Sequence, residues 1–338
     1  MSRSLKRIGT WTVKIAVTIL LVGYILHTVP LPSIARALRG ADAFYILLAL
    51  AALLVSRILM GCRMKSITDH QAMSLTIPQL IGISLVSTFY GTFLPGSLGG
   101  GLIRWHRLSR KDQKPSAALA AIAFDRLMDT LAVAAIGFAC WLLSASGRLR
   151  LPVGAVLLVS FLGCAGLYLA VFHPTGSAFA SRVVRAGAKL PVPAFLRRKL
   201  SSLFESTRNY HTLPAGTFLL SFGLSLAIHL TGTLSFSLAA RAMAIHLSFV
   251  DFVWIRAFAI LAAMLPVTVG GLGVREGAAL ALMGPYGISA ASIVAFTVVR
   301  LANSLAIAGL GGVVEMAEAF GPRSGRETAT PECRTAVP

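Results

Sequence analysis

Long apolar runs, more than any motif, limit what this chain can fold into. Stretches at about 11–29, 44–62, 77–94, 118–145, 152–172, 216–241, 250–267 and 288–313 carry few charges. Most approach or exceed the roughly 20 residues that take a helix across a hydrocarbon core about 30 Å thick. Inside lipid every backbone amide must find its partner within the protein, which a helix provides locally. Composition agrees: Ala, Val, Ile, Leu, Met, Phe, Trp, Tyr and Cys fill 56% of the 338 positions and charged residues only 13%. Soluble domains are about one quarter charged. With a mean hydropathy of +0.78, the chain is expected to be an all-α integral membrane protein of six to eight transmembrane helices. Residues 1–320 form one polytopic membrane domain, and the polar residues 321–338 form a disordered tail.

The net charge of +19 and the sequence pI near 11.0 would point to nucleic acid in a soluble chain. Here the basic residues sit between apolar runs, where the positive-inside bias and anionic head groups account for them, and no nucleic-acid module appears. Arg3, Lys6 and Arg7 precede the first run, which is followed by no small-residue cleavage site and reads as an anchor. Cys62, Cys140, Cys164 and Cys333 are scattered without metal-ligand or redox spacing and read as small packing residues.

The third and seventh runs are shorter, and each ends in a Pro/Gly-rich interruption. The first holds Pro95, Gly99 and Gly100; the second holds Pro266, Gly270 and Gly271. Proline removes a donor and glycine loosens the chain, so helices are expected to end or break there. Leu94-Pro95, Gly99-Gly100 and Ile103-Arg104 recur as Leu265-Pro266, Gly270-Gly271 and Val274-Arg275 at a constant offset of 171. Downstream, the run from Arg126 to Ala132 recurs from Arg300 to Ala306 at an offset of 174. Two matches in one order imply an ancient duplication, with repeat motifs near 77–145 and 250–313.

Loop charge bears on topology. The segment from Val171 to Pro214 carries seven basic residues against Glu205 alone, and the stretch from Arg104 to Lys114 is also basic. If the third and seventh runs are re-entrant and the other six cross, all basic segments face the cytoplasm, as do both termini. The two halves then form an inverted repeat. If all eight cross, these two basic segments lie outside. From Phe195 to Tyr210 apolar and basic residues interleave, which suits an amphipathic helix on the cytoplasmic leaflet as well as a solvated loop.

Charges within membrane helices are costly unless paired or facing a cavity. Asp125, Arg126 and Asp129 share the fourth run at helical spacing; Arg300 and Asn303 lie in the eighth, and His229 in the sixth. One reading has these residues pair among themselves and fix the packing. The other has Arg104, Arg126, Arg275 and Arg300 converge on the phosphate of a lipid, since the guanidinium fork binds phosphate oxygens bidentately and keeps its charge. Asp125, Asp129, Glu276 and Asn303 would support them, and amides at the two breaks would add donors. His229 fits a packing residue better than a proton relay. No P-loop, covalent-catalysis or metal-ligand signature is present, so neither cofactor nor metal is expected.

At these residues the chain resembles the flippase-like family that includes the transmembrane region of lysylphosphatidylglycerol synthase. The resemblance rests on Phe93 to Gly100 with Arg104, on Phe124-Asp125-Arg126-Leu127, and on Leu265-Pro266 through Gly270 to Gly277, and it spans roughly residues 10–318. The family commonly has Gly-Gly-Asp ahead of the first arginine, where this chain has Gly101. The soluble catalytic domain of the aminoacyl-transferring members is absent from this sequence.

What the resemblance implies is a bacterial inner-membrane protein that moves an anionic or modified phospholipid between leaflets. Its partners would be anionic membrane lipids and, in a second role, a lipid-modifying enzyme or glycosyltransferase that it anchors. A membrane-embedded lipid-modifying transferase is the enzymatic alternative, for which Asp125 and Asp129 are the only acidic pair able to serve.

Overall fold

The computed structural model describes residues 31–93, 99–145, 151–172, 206–207, 209–264 and 274–320. The first apolar run, the interruptions with Pro95, Pro266, Gly270 and Gly271, most of the Phe195 to Tyr210 segment and the tail at 321–338 lie outside the described residues. Among the described residues the protein is all-helical, with no strand. Its helices are α1 (Leu31–Arg39), α2 (Ala43–His70), α3 (Ile77–Phe93), α4 (Gly99–Asp112), α5 (Pro115–Leu143), α6 (Leu151–Val171), α7 (Ala215–Arg241), α8 (Phe249–Met264), α9 (Val274–Met283) and α10 (Ala290–Phe320). Short 3-10 turns at Asn209–Thr212 and Gly284–Tyr286 precede α7 and α10.

Five helices, α2, α5, α6, α7 and α10, are long and apolar enough to cross a membrane. They begin where local chemistry favours a start. The Asp42 side chain accepts from Phe44 N–H at 2.9 Å ahead of α2, and Pro115 occupies the first turn of α5, where its missing donor costs nothing. The outer surface is apolar, as lipid requires: Phe44, Leu47, Leu143, Val159, Leu219 and Val313 are all exposed.

The shorter α3 and α4 form a hairpin. Its open end is closed by Ser74 N–H donating to Asp112 Oδ1 at 3.2 Å and by Lys114 Nζ donating to the Ala72 carbonyl at 2.5 Å. Near its tip the Ser87 hydroxyl donates to the Gly100 carbonyl at 2.6 Å, and a Cβ on Gly100 would collide with the Ser87 carbonyl oxygen. Glycine is therefore required at this close approach. The third apolar run thus packs side by side with the helix that follows it. The helices α8 and α9 pack together on either side of the second interruption.

Helix order repeats: long, short, interruption, short, long describes α2 to α5 and again α7 to α10. The packing repeats with it. Helix α3 lies on α10 as α8 lies on α5; α2 on α3, α3 on α4, α4 on α5 and α2 on α5 have counterparts in α7 on α8, α8 on α9, α9 on α10 and α7 on α10. The two leading helices, α2 and α7, form the most extensive contact. They run antiparallel, since Ser66 meets Ser221, Arg63 meets Ser225, and Ala49 meets Ser235.

Glycines set two crossings. A Cβ on Gly311 of α10 would clash with the Leu85 carbonyl of α3, and one on Gly137 of α5 would lie 2.5 Å from Ala257 Cβ of α8. Apolar side chains gather in two buried clusters, one around Trp254, Phe236, Phe252 and Phe296, the other around Phe124, Met128 and Tyr210. In the second, Phe124 stacks on Tyr210 at 4.4 Å between centroids. Burial pushes the Tyr210 hydroxyl above its ordinary range, and it donates to the Ile67 carbonyl at 3.4 Å.

Candidate functional site

Polar side chains in the long helices meet where α2, α5 and α7 pack together. Arg63, only 1% exposed, lies on α2 and is held from two sides. Its Nε donates to Asp125 Oδ1 at 2.9 Å, and its Nη1 donates to Asp129 Oδ1 at 2.8 Å and to the Ser225 hydroxyl at 2.9 Å. Asp125 and Asp129 stand one turn apart on α5, so both carboxylates face the same guanidinium. Arg104 reaches in from α4, its Nη1 donating to Asp125 Oδ2 at 3.1 Å. On α7, Ser221, Ser225 and His229 follow at four-residue spacing and line the face turned toward this network. Each charge is thereby paired, as an apolar surrounding demands.

Arg57 adds a further cation, two turns earlier on α2. It stands within electrostatic reach of Arg104 and Asp129. Its Nη1 touches Met60 Sδ at 3.6 Å, and its buried Nε has no hydrogen-bond partner among the described residues. Three arginines, Arg57, Arg63 and Arg104, thus surround two aspartates, an arrangement with cationic excess.

His229 connects this network to a second one. Its Nε2 lies 3.0 Å from the Asp129 carbonyl and 3.4 Å from Asp129 Oδ1. On its other side Arg256 Nη1 lies 3.5 Å from Nδ1 and donates to the His229 carbonyl at 3.3 Å. Beyond Arg256 opens a cavity of about 50 Å³, lined by Leu53, Gly232, Ser235, Phe236, Ala239, Arg256, Arg300, Asn303 and Ser304. This is room for a few waters. Arg300 lies over the Phe236 ring at 4.6 Å and the Phe296 ring at 5.8 Å, a cation on aromatic faces. Gly232 makes the space: a Cβ there would collide with the Arg256 guanidinium.

The residues singled out by sequence therefore separate. Arg104 belongs to the carboxylate network and Arg300 to the cavity. Arg126 stands exposed on α5, pairs with no acid among the described residues and joins neither; the partner of Asp125 and Asp129 is Arg63, not Arg126. The side chain of Arg275 lies outside the described residues. Asn303 is buried at the cavity wall, and Glu276 lies half-buried in the first turn of α9. Gly99 and Gly100 open α4. The described guanidinium groups do not gather in one hollow.

Sequence reasoning missed Arg63 because the second apolar run seemed to end at residue 62; α2 continues to His70. It also passed over Arg57 and Arg256, each a lone cation inside an apolar run and therefore visible as an intramembrane charge.

The match that decides kinship covers nearly the whole chain: the model of the lysylphosphatidylglycerol synthase TM region family fits residues 11–312. The chain belongs to this family. It is also similar to a UPF0104 membrane protein of Methanothermobacter thermautotrophicus, at 24% identity over 313 residues, covering 86% of this chain and 88% of the archaeal protein. As a family member, the protein is an integral membrane protein, and its hairpin, its antiparallel α2 and α7 and its buried arginines lie within the matched span.

Proposed function

We propose that this protein moves an anionic phospholipid between the leaflets of a bacterial inner membrane. The observation that carries the reading is the cavity lined by Arg256, Arg300, Asn303 and Ser235 inside the helical core, joined through His229 to the Arg57, Arg63 and Arg104 network. Guanidinium groups with neutral donors suit a phosphate, whose oxygens accept from planar forks. With the six crossings that place basic segments inside, Asp125 lies about 15 Å in from the cytoplasmic end of α5, and Arg300 a similar distance from the outer end of α10. The two arginine groups then stand on either side of mid-membrane. A head group could pass from one to the other while its acyl chains stay in lipid. The repeated, antiparallel arrangement supports access that alternates by one repeat rocking against the other. A cavity of about 50 Å³ is too small for a complete head group and corresponds to a closed stage of such a cycle.

The test is leaflet exchange of fluorescent phosphatidylglycerol in vesicles containing the purified protein, read by quenching of the outer leaflet. Exchange faster than in protein-free vesicles is expected, and Arg300→Gln should slow it at least tenfold. Wild-type protein that leaves exchange at the protein-free rate would overturn the reading.

A further inference from the structure

His229 sits between an acid and a base of opposite consequence. The distances assign its protons. Nε2 faces the Asp129 carbonyl at 3.0 Å, an oxygen that can only accept, so Nε2 carries hydrogen. Nδ1 faces Arg256 Nη1 at 3.5 Å, a group that can only donate, so Nδ1 holds a lone pair. A proton arriving at Nδ1 would meet an N–H already pointing at it.

The surroundings sharpen this. Helices α2, α5, α8 and α10 pack on α7. From α5 comes Asp129, which favours the charged ring; from α2 come Arg63, bonded to that carboxylate, and Arg57, within its field. From α8 comes Arg256, which disfavours the charged ring, and from α10 Arg300, which shares the cavity with Arg256. The only charged residue of α7 itself is Arg241, at the end of the helix. Gly232, one turn beyond His229, leaves the space that the Arg256 guanidinium occupies. The position of Arg256 therefore controls both the cavity wall and access to Nδ1.

We infer that the protein takes up a proton on His229 when an anionic head group binds, and carries the two together. The inference rests on the translocation proposed above. A phosphate entering the cavity draws the Arg256 guanidinium toward it. The Nη1–H···Nδ1 contact breaks, Nδ1 accepts a proton from a hydronium ion of the aqueous phase, which leaves as water, and the imidazolium pairs with Asp129 Oδ1, 3.4 Å from Nε2. A phosphodiester of charge −1 and one proton then move as a neutral sum, which removes the Born cost of passing a lone anion through lipid. Anion binding and proton binding favour each other by linkage.

Two measurements decide it. In the first, protein labelled with 15N-histidine in lipid nanodiscs is titrated by NMR, with the His229 signal assigned by its loss in His229→Gln. Arg256→Gln should raise the proton affinity of His229 at least tenfold. Gly232→Ala, which displaces the guanidinium without removing its charge, should shift it in the same direction and serves if Arg256→Gln fails to fold. An unchanged titration in the folded variants overturns the inference. In the second, wild-type vesicles with an acid exterior are compared with the same vesicles after a protonophore. Inward exchange of fluorescent phosphatidylglycerol should run several-fold faster under the gradient, with acidification of the lumen. Exchange that occurs but ignores the gradient overturns the coupling and leaves translocation standing. No exchange in either condition overturns translocation itself, and the coupling with it, whatever the titration gives.

Discussion

Arg63 on α2 donates to Asp125 on α5 at 2.9 Å with both side chains almost fully buried, although 62 residues separate them in the chain. The bond ties the leading helix of the first repeat to its last helix, and a second bond to Asp129 doubles it. Removing one partner of such a set leaves charge uncompensated in an apolar surrounding. Arg63→Met should therefore destabilise the protein by about 3–5 kcal/mol. Arg126→Met, at an exposed position of α5, should change stability by less than about 0.5 kcal/mol. Thermal unfolding of the two variants in detergent compares them directly; equal midpoints would mean that the carboxylates find another counter-ion.

Close helix approach makes a separate prediction. Gly311 and Gly137 occupy matching places in the last helices of the two repeats, each against the first hairpin helix of the other repeat, and neither has room for a Cβ. Gly311→Ala must push away backbone, the Leu85 carbonyl, and should cost about 1–3 kcal/mol. Gly163→Ala on α6, where nothing lies within 4 Å, should be neutral or stabilising by up to about 1 kcal/mol, through helix propensity alone. Urea or thermal melts of both proteins give the comparison, and a neutral Gly311→Ala would contradict the tight crossing.

These two sets of residues differ in how far the sequence disclosed them. The long helices were legible, because each run of apolar residues has the length that lipid demands, and the two Pro/Gly interruptions marked where short helices meet. The paired Gly-Gly-x-x-x-Arg motifs pointed to a duplication, and the order of helices and of their contacts is alike in the two halves. What the sequence did not give is which face each charge would occupy. Asp125 and Arg126 are neighbours in the chain, yet adjacent helical residues point about 100° apart; one is buried and the other exposed. The choice is made by α2, whose Arg63 supplies the counter-charge, and no local pattern announces a contact between residues 62 apart. His229 was likewise readable only as an isolated polar residue until α5 and α8 supplied Asp129 and Arg256 on its two sides.

Where α4 meets the C-terminal end of α10, Arg107 pairs with Glu315 and with Glu318, the latter at 2.6 Å, and Tyr90 donates to Glu315 at 3.3 Å. All are partly exposed, so water and salt weaken them. Arg107→Gln should cost no more than about 1 kcal/mol, and the loss should shrink at high salt. Combined with Glu315→Gln the effects should fall short of additivity, since both remove one interaction. A double-mutant cycle from thermal midpoints at two salt concentrations measures this, and strict additivity would show that the pair contributes nothing.

Arg300 separates charge from shape. Its guanidinium lies over Phe236 at 4.6 Å and near Phe296 at 5.8 Å, so two aromatic faces hold a flat cation at the cavity wall. Lysine keeps the charge but has neither the plane nor the fork. If the stacked plane presents donors to a phosphate, Arg300→Lys should slow lipid exchange nearly as much as Arg300→Gln does. Phe236→Leu, which removes one supporting ring, should slow it by an intermediate amount, consistent with about 0.5–2 kcal/mol for a cation over an aromatic ring. Thermal midpoints recorded alongside would distinguish lost packing from lost binding. Wild-type exchange by Arg300→Lys would reduce the role of this residue to a positive charge at membrane depth.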